Sequence, residues 1–266
     1  MITCSHTRRR DVPLLVIAGL LAGSLCGCGE GESGHAGSGS HLTEGGVPRP
    51  RVVCTRGMVA DIVAQVAGDR AEVIRLYGDV DPHTYEPTAR DVERILSADI
   101  VFYSGLYLEG PTQSALERAR ERGRKVWAVT DGLAQEEGFL LYPDGRGSHP
   151  DPHAWMDVAA WSRCVGFVAE RLSDFDPEGK AYFEERTRAF QAELAKLDDY
   201  ARTAIATIPE DRRVLVTAHD AFEYFSRAYH IPVQSVQGIT TESDAGTDGI
   251  NRRGDAAAPG KVPGGR

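Results

Sequence analysis

An excess of positive charge is missing from this 266-residue chain: 30 lysines and arginines face 39 acidic residues, for a formal net charge of −9. That argues against nucleic acid as a partner, because such partners are met by a basic footprint. Cysteine is scarce as well. Of the five cysteines, Cys4, Cys26 and Cys28 fall in the first 28 residues, which leaves Cys54 and Cys164 for the body of the chain. An oxidising compartment would permit one disulfide between them. Cys54 reads as a strand residue and Cys164 as part of a helix face, so two separately buried thiols are expected. The apolar stretch at 12–25 is too short to cross a bilayer as a helix and matches a secretory h-region of roughly 7–15 residues. A His-Glu-x-x-His helix is absent too, and no carboxylate stands out as a general base, which weighs against a metallohydrolase.

What is present at the N-terminus is a leader. Arg8, Arg9 and Arg10 precede the apolar stretch, which ends in Leu25-Cys26-Gly27-Cys28. This ending resembles a bacterial lipobox, with residues 1–27 removed and Cys28 lipidated; the alternative is an ordinary secretory signal cleaved nearby. Asp11 stands where a twin-arginine signal needs an apolar residue. Residues 28–50 are rich in glycine and serine and read as a flexible tether, with His35 and His41 as solvated residues on it. A lipid anchor plus a tether would hold a soluble body at the outward-facing side of a membrane.

Three histidines in the body sit in similar settings: Asp81-Pro82-His83, Asp151-Pro152-His153 and Thr217-Ala218-His219-Asp220. Imidazole is the commonest protein ligand for zinc and similar divalent ions, and such sites often gather ligands from distant loops. The Asp-Pro pairs pin the backbone before two of the rings. Separations of 70 and 66 residues also fit three unconnected loop histidines, and spacing alone does not choose between the two.

The body alternates. Short β-branched and aromatic runs at 52–55, 73–77, 100–104 and 126–129 read as strands, with helical patterns between them. Thr88-Ala89-Arg90-Asp91 forms a capping-box start for a helix with Val92, Ile95 and Leu96 on one face, and 111–122 fits another. Strands alternating with helices imply a parallel sheet covered on both sides. After His153 a helix is expected over 158–172. Asp176-Pro177-Glu178 then reads as N-cap, N1 proline and first-turn acid. Phe183, Phe190, Leu194, Leu197, Ala201, Ile205 and Ile208 form one helical stripe, giving a rod of roughly 48 Å at 1.5 Å per residue. A rod of that length links two lobes; a coiled coil is the poorer reading, since the stripe is short and bears aromatics. Beyond it, 214–217 reads as a buried strand with His219 at its carboxyl end, 221–229 as a helix and 233–236 as a strand. Ligands of open α/β sheets bind at that end of the strands.

Together these residues resemble a known family. Gly78-Asp79-Val80-Asp81-Pro82-His83-Thr84-Tyr85-Glu86-Pro87-Thr88 and Ala98-Asp99-Ile100-Val101-Phe102-Tyr103-Ser104-Gly105-Leu106 are similar to the N-lobe signature of the zinc/manganese ABC-importer substrate-binding proteins. Asp151-Pro152-His153-Ala154-Trp155-Met156-Asp157, Val216-Thr217-Ala218-His219-Asp220-Ala221-Phe222 and Gly238-Ile239-Thr240-Thr241-Glu242-Ser243 resemble its later loops. The likeness covers about 52–252 in order. It implies an α/β protein of two Rossmann-like lobes joined by a long rigid helix, expected to be monomeric, delivering zinc or manganese to an ABC permease and its ATPase. Carried over by position, His83, His153 and His219 match the first three metal ligands. Manganese-selective members often carry glutamate at the third position, so His219 leans toward zinc, in keeping with the preference of nitrogen-rich sites for the softer ion.

The resemblance also implies a fourth ligand, an aspartate further along, and more strands and helices. Residues 253–266 show no apolar periodicity and are rich in glycine and proline. The expected organisation is therefore a 1–27 leader, a 28–50 tether, an N-lobe at 51–175, a linking helix at 176–208, a partial C-lobe at 209–252 and a disordered tail at 253–266. Glu242 is the candidate substitute for the fourth ligand. Asp157 and Asp220 adjoin two of the imidazoles and are expected to orient them by hydrogen bonds. Two other classes remain open at this point: a three-histidine zinc hydrolase, whose open fourth position would activate water, and a lipid-anchored surface adhesin.

Overall fold

The computed structural model describes residues 49–78, 80–142 and 149–235. The expected leader, Cys28, the expected tether up to residue 48, Glu242 and the 253–266 segment lie outside the described residues. In chain order the elements are β1 (Arg51–Cys54), α1 (Gly57–Ala67), β2 (Glu72–Arg75), α2 (Ala89–Ser97), β3 (Ile100–Tyr103), α3 (Gln113–Glu121), β4 (Lys125–Ala128) and α4 (Asp131–Ala134). Then follow α5 (Val158–Phe175), α6 (Lys180–Ala206), β5 (Leu215–Thr217), α7 (Glu223–Tyr229) and β6 (Val233–Ser235).

The first four strands form one parallel sheet in the order β2-β1-β3-β4. The chain leaves β1 toward β2 on one side and returns to β3 on the other, so the direction of winding reverses between β1 and β3. The carboxyl ends of the strands at such a point form a crevice. Alternation along the strands divides the core into two layers. Val52, Cys54, Ile100 and Phe102 face α1, α5 and α6, burying Ile62, Val66, Trp161, Val165 and Phe183. Val53 and Val101 face the other way, onto Ile95, Leu116 and Ala119 of α2 and α3. Cys54 and Cys164 are both free and buried, as expected.

The local start signals are realised. Thr88 accepts from the Asp91 backbone N–H at 3.3 Å, and Asp91 accepts from the Thr88 N–H at 3.0 Å, the two halves of a capping box. Asp176 accepts from the Gly179 N–H at 3.1 Å, but it caps a single 3-10 turn (Pro177–Gly179) that leads into α6. The same carboxylate takes Nε and Nη2 of Arg70, each at 2.7 Å, tying the end of α1 to the start of the long helix.

The long helix is unevenly buried, and one expectation needs correction. Along the α6 stripe Phe183 and Leu194 are buried, whereas Leu197 is 49% exposed and Ala201 and Ile205 are partly buried. The strand expected to be buried at 214–217 is short, and Val216 is 65% exposed. Among the described residues β5 pairs in parallel with β6 alone, and nothing covers the face that Val216 presents. In the first helix, α1, the apolar residues Val59, Ile62, Val63 and Val66 form the buried side.

Candidate metal centre

Each of the three histidines lies on a loop between regular elements. His83 lies on the loop between β2 and α2. His153 lies just before the 3-10 turn Ala154–Met156 that opens α5, and His219 follows β5. The fold brings all three rings together. Nε2 of His153 stands 3.4 Å from Nε2 of His83 and 3.2 Å from Nε2 of His219. One ring nitrogen from each lies within 4.8 Å of the others. Two nitrogens bound tetrahedrally to one zinc at about 2.0–2.1 Å are about 3.3 Å apart, so the spacing fits a shared ion.

Short local hydrogen bonds aim the rings. Asp151 is wholly buried, and its Oδ1 accepts from the backbone N–H of His153 at 2.9 Å and faces His153 Nδ1 at 2.7 Å. A proton on Nδ1 leaves the Nε2 lone pair directed at the centre, as in carboxylate–histidine–metal arrangements. The first Asp-Pro-His repeats the turn: Asp81 Oδ1 accepts from the His83 N–H at 2.9 Å. The His83 loop is also held from two sides. Arg56 donates to the Val80 carbonyl, and Tyr85 donates to Asp91 at 2.8 Å.

The Asp-Pro pairs therefore do more than restrain the backbone, and Asp151 is a site residue that the sequence reading missed. Its signal was local: an aspartate two residues before a histidine can accept from that residue's N–H. Asp157, expected to orient an imidazole, instead caps α5 by accepting from the Ala160 N–H at 3.0 Å, with Arg227 3.9 Å away. The physical reason is its position at the helix start, where the orphan N–H groups compete for its oxygens. Asp220 follows His219 directly and is half-buried.

Burial, followed by repulsion from the His153 and His219 rings, pushes the His83 imidazole down from 6.5 to about 4. The ring stays neutral in the folded protein where the unfolded chain takes up a proton. Stability of the metal-free protein is therefore expected to fall as pH drops from about 6.5 toward 4. Thermal unfolding of wild type and His83→Gln over that range checks this: the variant should show the shallower slope, and identical slopes would refute the cause.

Comparison with known proteins identifies the family and the fold. Residues 52–263 match the family model for the periplasmic zinc-uptake complex component A, a match that runs past Arg252, where the likeness read from the sequence stops. The chain is 39% identical over 216 residues to the zinc-binding protein TroA of Treponema pallidum, covering 81% of this chain and 68% of that one. It is 34% identical over 224 residues to the manganese-binding lipoprotein MntA of Bacillus subtilis, covering 84% and 69%. Against the solved structure of the Treponema pallidum periplasmic zinc-binding protein the TM-score is 0.73 at 39% identity, over 78% of this chain and 74% of that one. With a family match over most of its length and the α/β fold of its relatives, this chain belongs to the zinc-uptake complex component A family of periplasmic proteins.

Proposed function

We propose that this protein captures one divalent metal ion, zinc in preference to manganese, with His83, His153 and His219, and delivers it to the permease and ATPase of an ABC importer. The observation that carries the reading is the approach of His153 Nε2 to Nε2 of His83 and of His219, at 3.4 and 3.2 Å, from three loops far apart in the chain. An all-imidazole set favours the borderline-soft ion over manganese, which prefers oxygen. Glu242 is the candidate fourth ligand; a carboxylate there would offset part of the ion's charge. The zinc-binding and manganese-binding relatives support the cargo, and the lipoprotein among them supports an anchor at Cys28.

In this reading residues 51–175 and 209–252 form the two lobes and 176–208 the link between them, with 1–27 as leader and 28–50 as tether. The protein acts as a monomer held by its lipid at the outward-facing side of the membrane, and it is not an enzyme. Against hydrolysis, two described carboxylates adjoining His153 in sequence are occupied: Asp151 holds that ring and Asp157 caps a helix. One experiment tests cargo and anchor together. Membranes from cells making the full chain should bind one zinc per chain, and Cys28→Ser should move that binding to the soluble fraction. No zinc binding in either fraction overturns the metal reading. Zinc binding left in the membranes of the variant overturns the anchor.

A further inference from the structure

Helix α7 and the loop that carries His153 are joined by contacts that need no metal. Tyr224, in the first turn of α7, is fully buried within the main core of the four-stranded unit. Its hydroxyl donates to the Asp151 carbonyl at 3.0 Å and accepts from the Leu141 N–H at 3.3 Å. The Asp151 N–H in turn donates to the Leu141 carbonyl at 2.8 Å. These three bonds form a closed ring that staples the two ends of the segment between residues 141 and 151. Arg227, one turn further along α7, donates to the Phe139 carbonyl at 2.6 Å and lies over the Phe139 and Tyr224 rings, 4.5 and 5.1 Å from their centroids. Phe139 and Tyr224 stack with centroids 5.7 Å apart.

The position of this clasp gives it a use. Asp151 orients the His153 ring, and α7 begins four residues after His219. Tyr224 therefore sits where one side chain can hold both imidazoles in register. Its hydroxyl sets the Asp151 backbone, the Asp151 carboxylate sets His153, and the helix that carries Tyr224 sets the chain leaving His219. The His83 loop is held by other contacts, Arg56 on the Val80 carbonyl and Tyr85 on Asp91.

We infer that Tyr224 and Arg227 are positioning residues that preassemble His153 and His219 as a two-imidazole half-site before metal arrives, with His83 supplying the third arm from an independently held loop. The inference rests on the metal-binding reading above. Preassembly lowers the ordering cost of capture, so loosening the clasp should act on the geometry and release of the ion more than on folding.

The test uses the purified full chain with cobalt(II) as a spectroscopic stand-in for zinc, whose visible bands report coordination geometry, together with zinc affinity and release rate. Tyr224→Phe keeps the ring and its stacking while removing both hydroxyl bonds, and Arg227→Gln removes the cation. Loss of partners behind metal ligands costs about 10–100-fold in affinity. A loss at the lower end of that range, about tenfold, with faster zinc release and altered cobalt bands, is expected for Tyr224→Phe. Arg227→Gln should show a smaller change in the same direction, and Arg227→Lys should partly restore it. Cobalt bands unchanged from wild type in both Tyr224→Phe and Arg227→Gln overturn the inference, whatever happens to stability. Failure of the wild-type chain to bind either ion instead overturns the metal-binding reading itself.

Discussion

His153→Ala is expected to weaken zinc binding by about a hundredfold to a thousandfold. Metal binding by four-ligand zinc-finger sites is worth about 10–16 kcal/mol in all, so one ligand accounts for about 2.5–4 kcal/mol. His153 is the central ring: its Nε2 faces Nε2 of both other histidines, at 3.4 and 3.2 Å. Removing it leaves two imidazoles, with ring nitrogens within 4.8 Å of each other, to hold the ion. The substitution also strips Asp151, wholly buried, of its imidazole partner. A buried acceptor left without that partner costs about 1–3 kcal/mol, so the metal-free variant should melt earlier than wild type as well. Competition titration with a chelator of known affinity reads the first effect. Zinc affinity equal to wild type would remove His153 from the site.

Glu109→Ala is expected to cost about 3–5 kcal/mol of stability, among the larger effects a single substitution produces. Glu109 is buried at the crevice between β1 and β3, with almost no exposure. It accepts from the Thr55 hydroxyl at 2.7 Å, from the Ser104 N–H at 2.7 Å and from the Gly105 N–H at 3.2 Å. Burial raises its carboxyl above the ordinary range, opposed by those same hydrogen bonds and by Arg56. The carboxylate braces a strained turn: Gly105, Leu106 and Tyr107 all have positive φ, at 95°, 53° and 64°, and for the two non-glycine residues that conformation is unfavourable. Gly105 has no alternative, since a Cβ there would lie 2.5 Å from Thr130 Oγ1. Alanine at 109 orphans two N–H groups and a hydroxyl at once. Glu109→Gln keeps the shape and one acceptor oxygen, so it should cost much less. Urea unfolding of the two variants checks the order; equal stabilities would mean that the three hydrogen bonds are not what matters.

Much of the N-terminal half was legible because its signals are local. The capping box at Thr88 and Asp91 needs four residues in a row, and the four parallel strands announced themselves by short β-branched runs. Errors arose where a local pattern has two tertiary outcomes. Val214-Leu215-Val216-Thr217 reads as a buried strand, yet burial depends on what lies above and below it, and Val216 is left largely open. Asp157 adjoins the His153 turn and so looked like an orienter. The helix it starts takes its oxygen instead.

The sequence by itself determined the parallel α/β class, the long helix after Asp176 and the residue types of the site. Each of these follows from periodicity, capping chemistry or ligand chemistry within a short window. Only the tertiary structure decided that the rings of His83, His153 and His219 meet, because separations of 70 and 66 residues carry no distance information until the sheet and α6 place their loops. It alone decided that Asp151 rather than Asp157 holds the His153 ring. It also decided that Tyr224 docks α7 into the core of the four-stranded unit. A tyrosine in an amphipathic helix carries no mark of which distant carbonyl its hydroxyl will reach, and the buried hydroxyl must find its partner wherever the packing puts it.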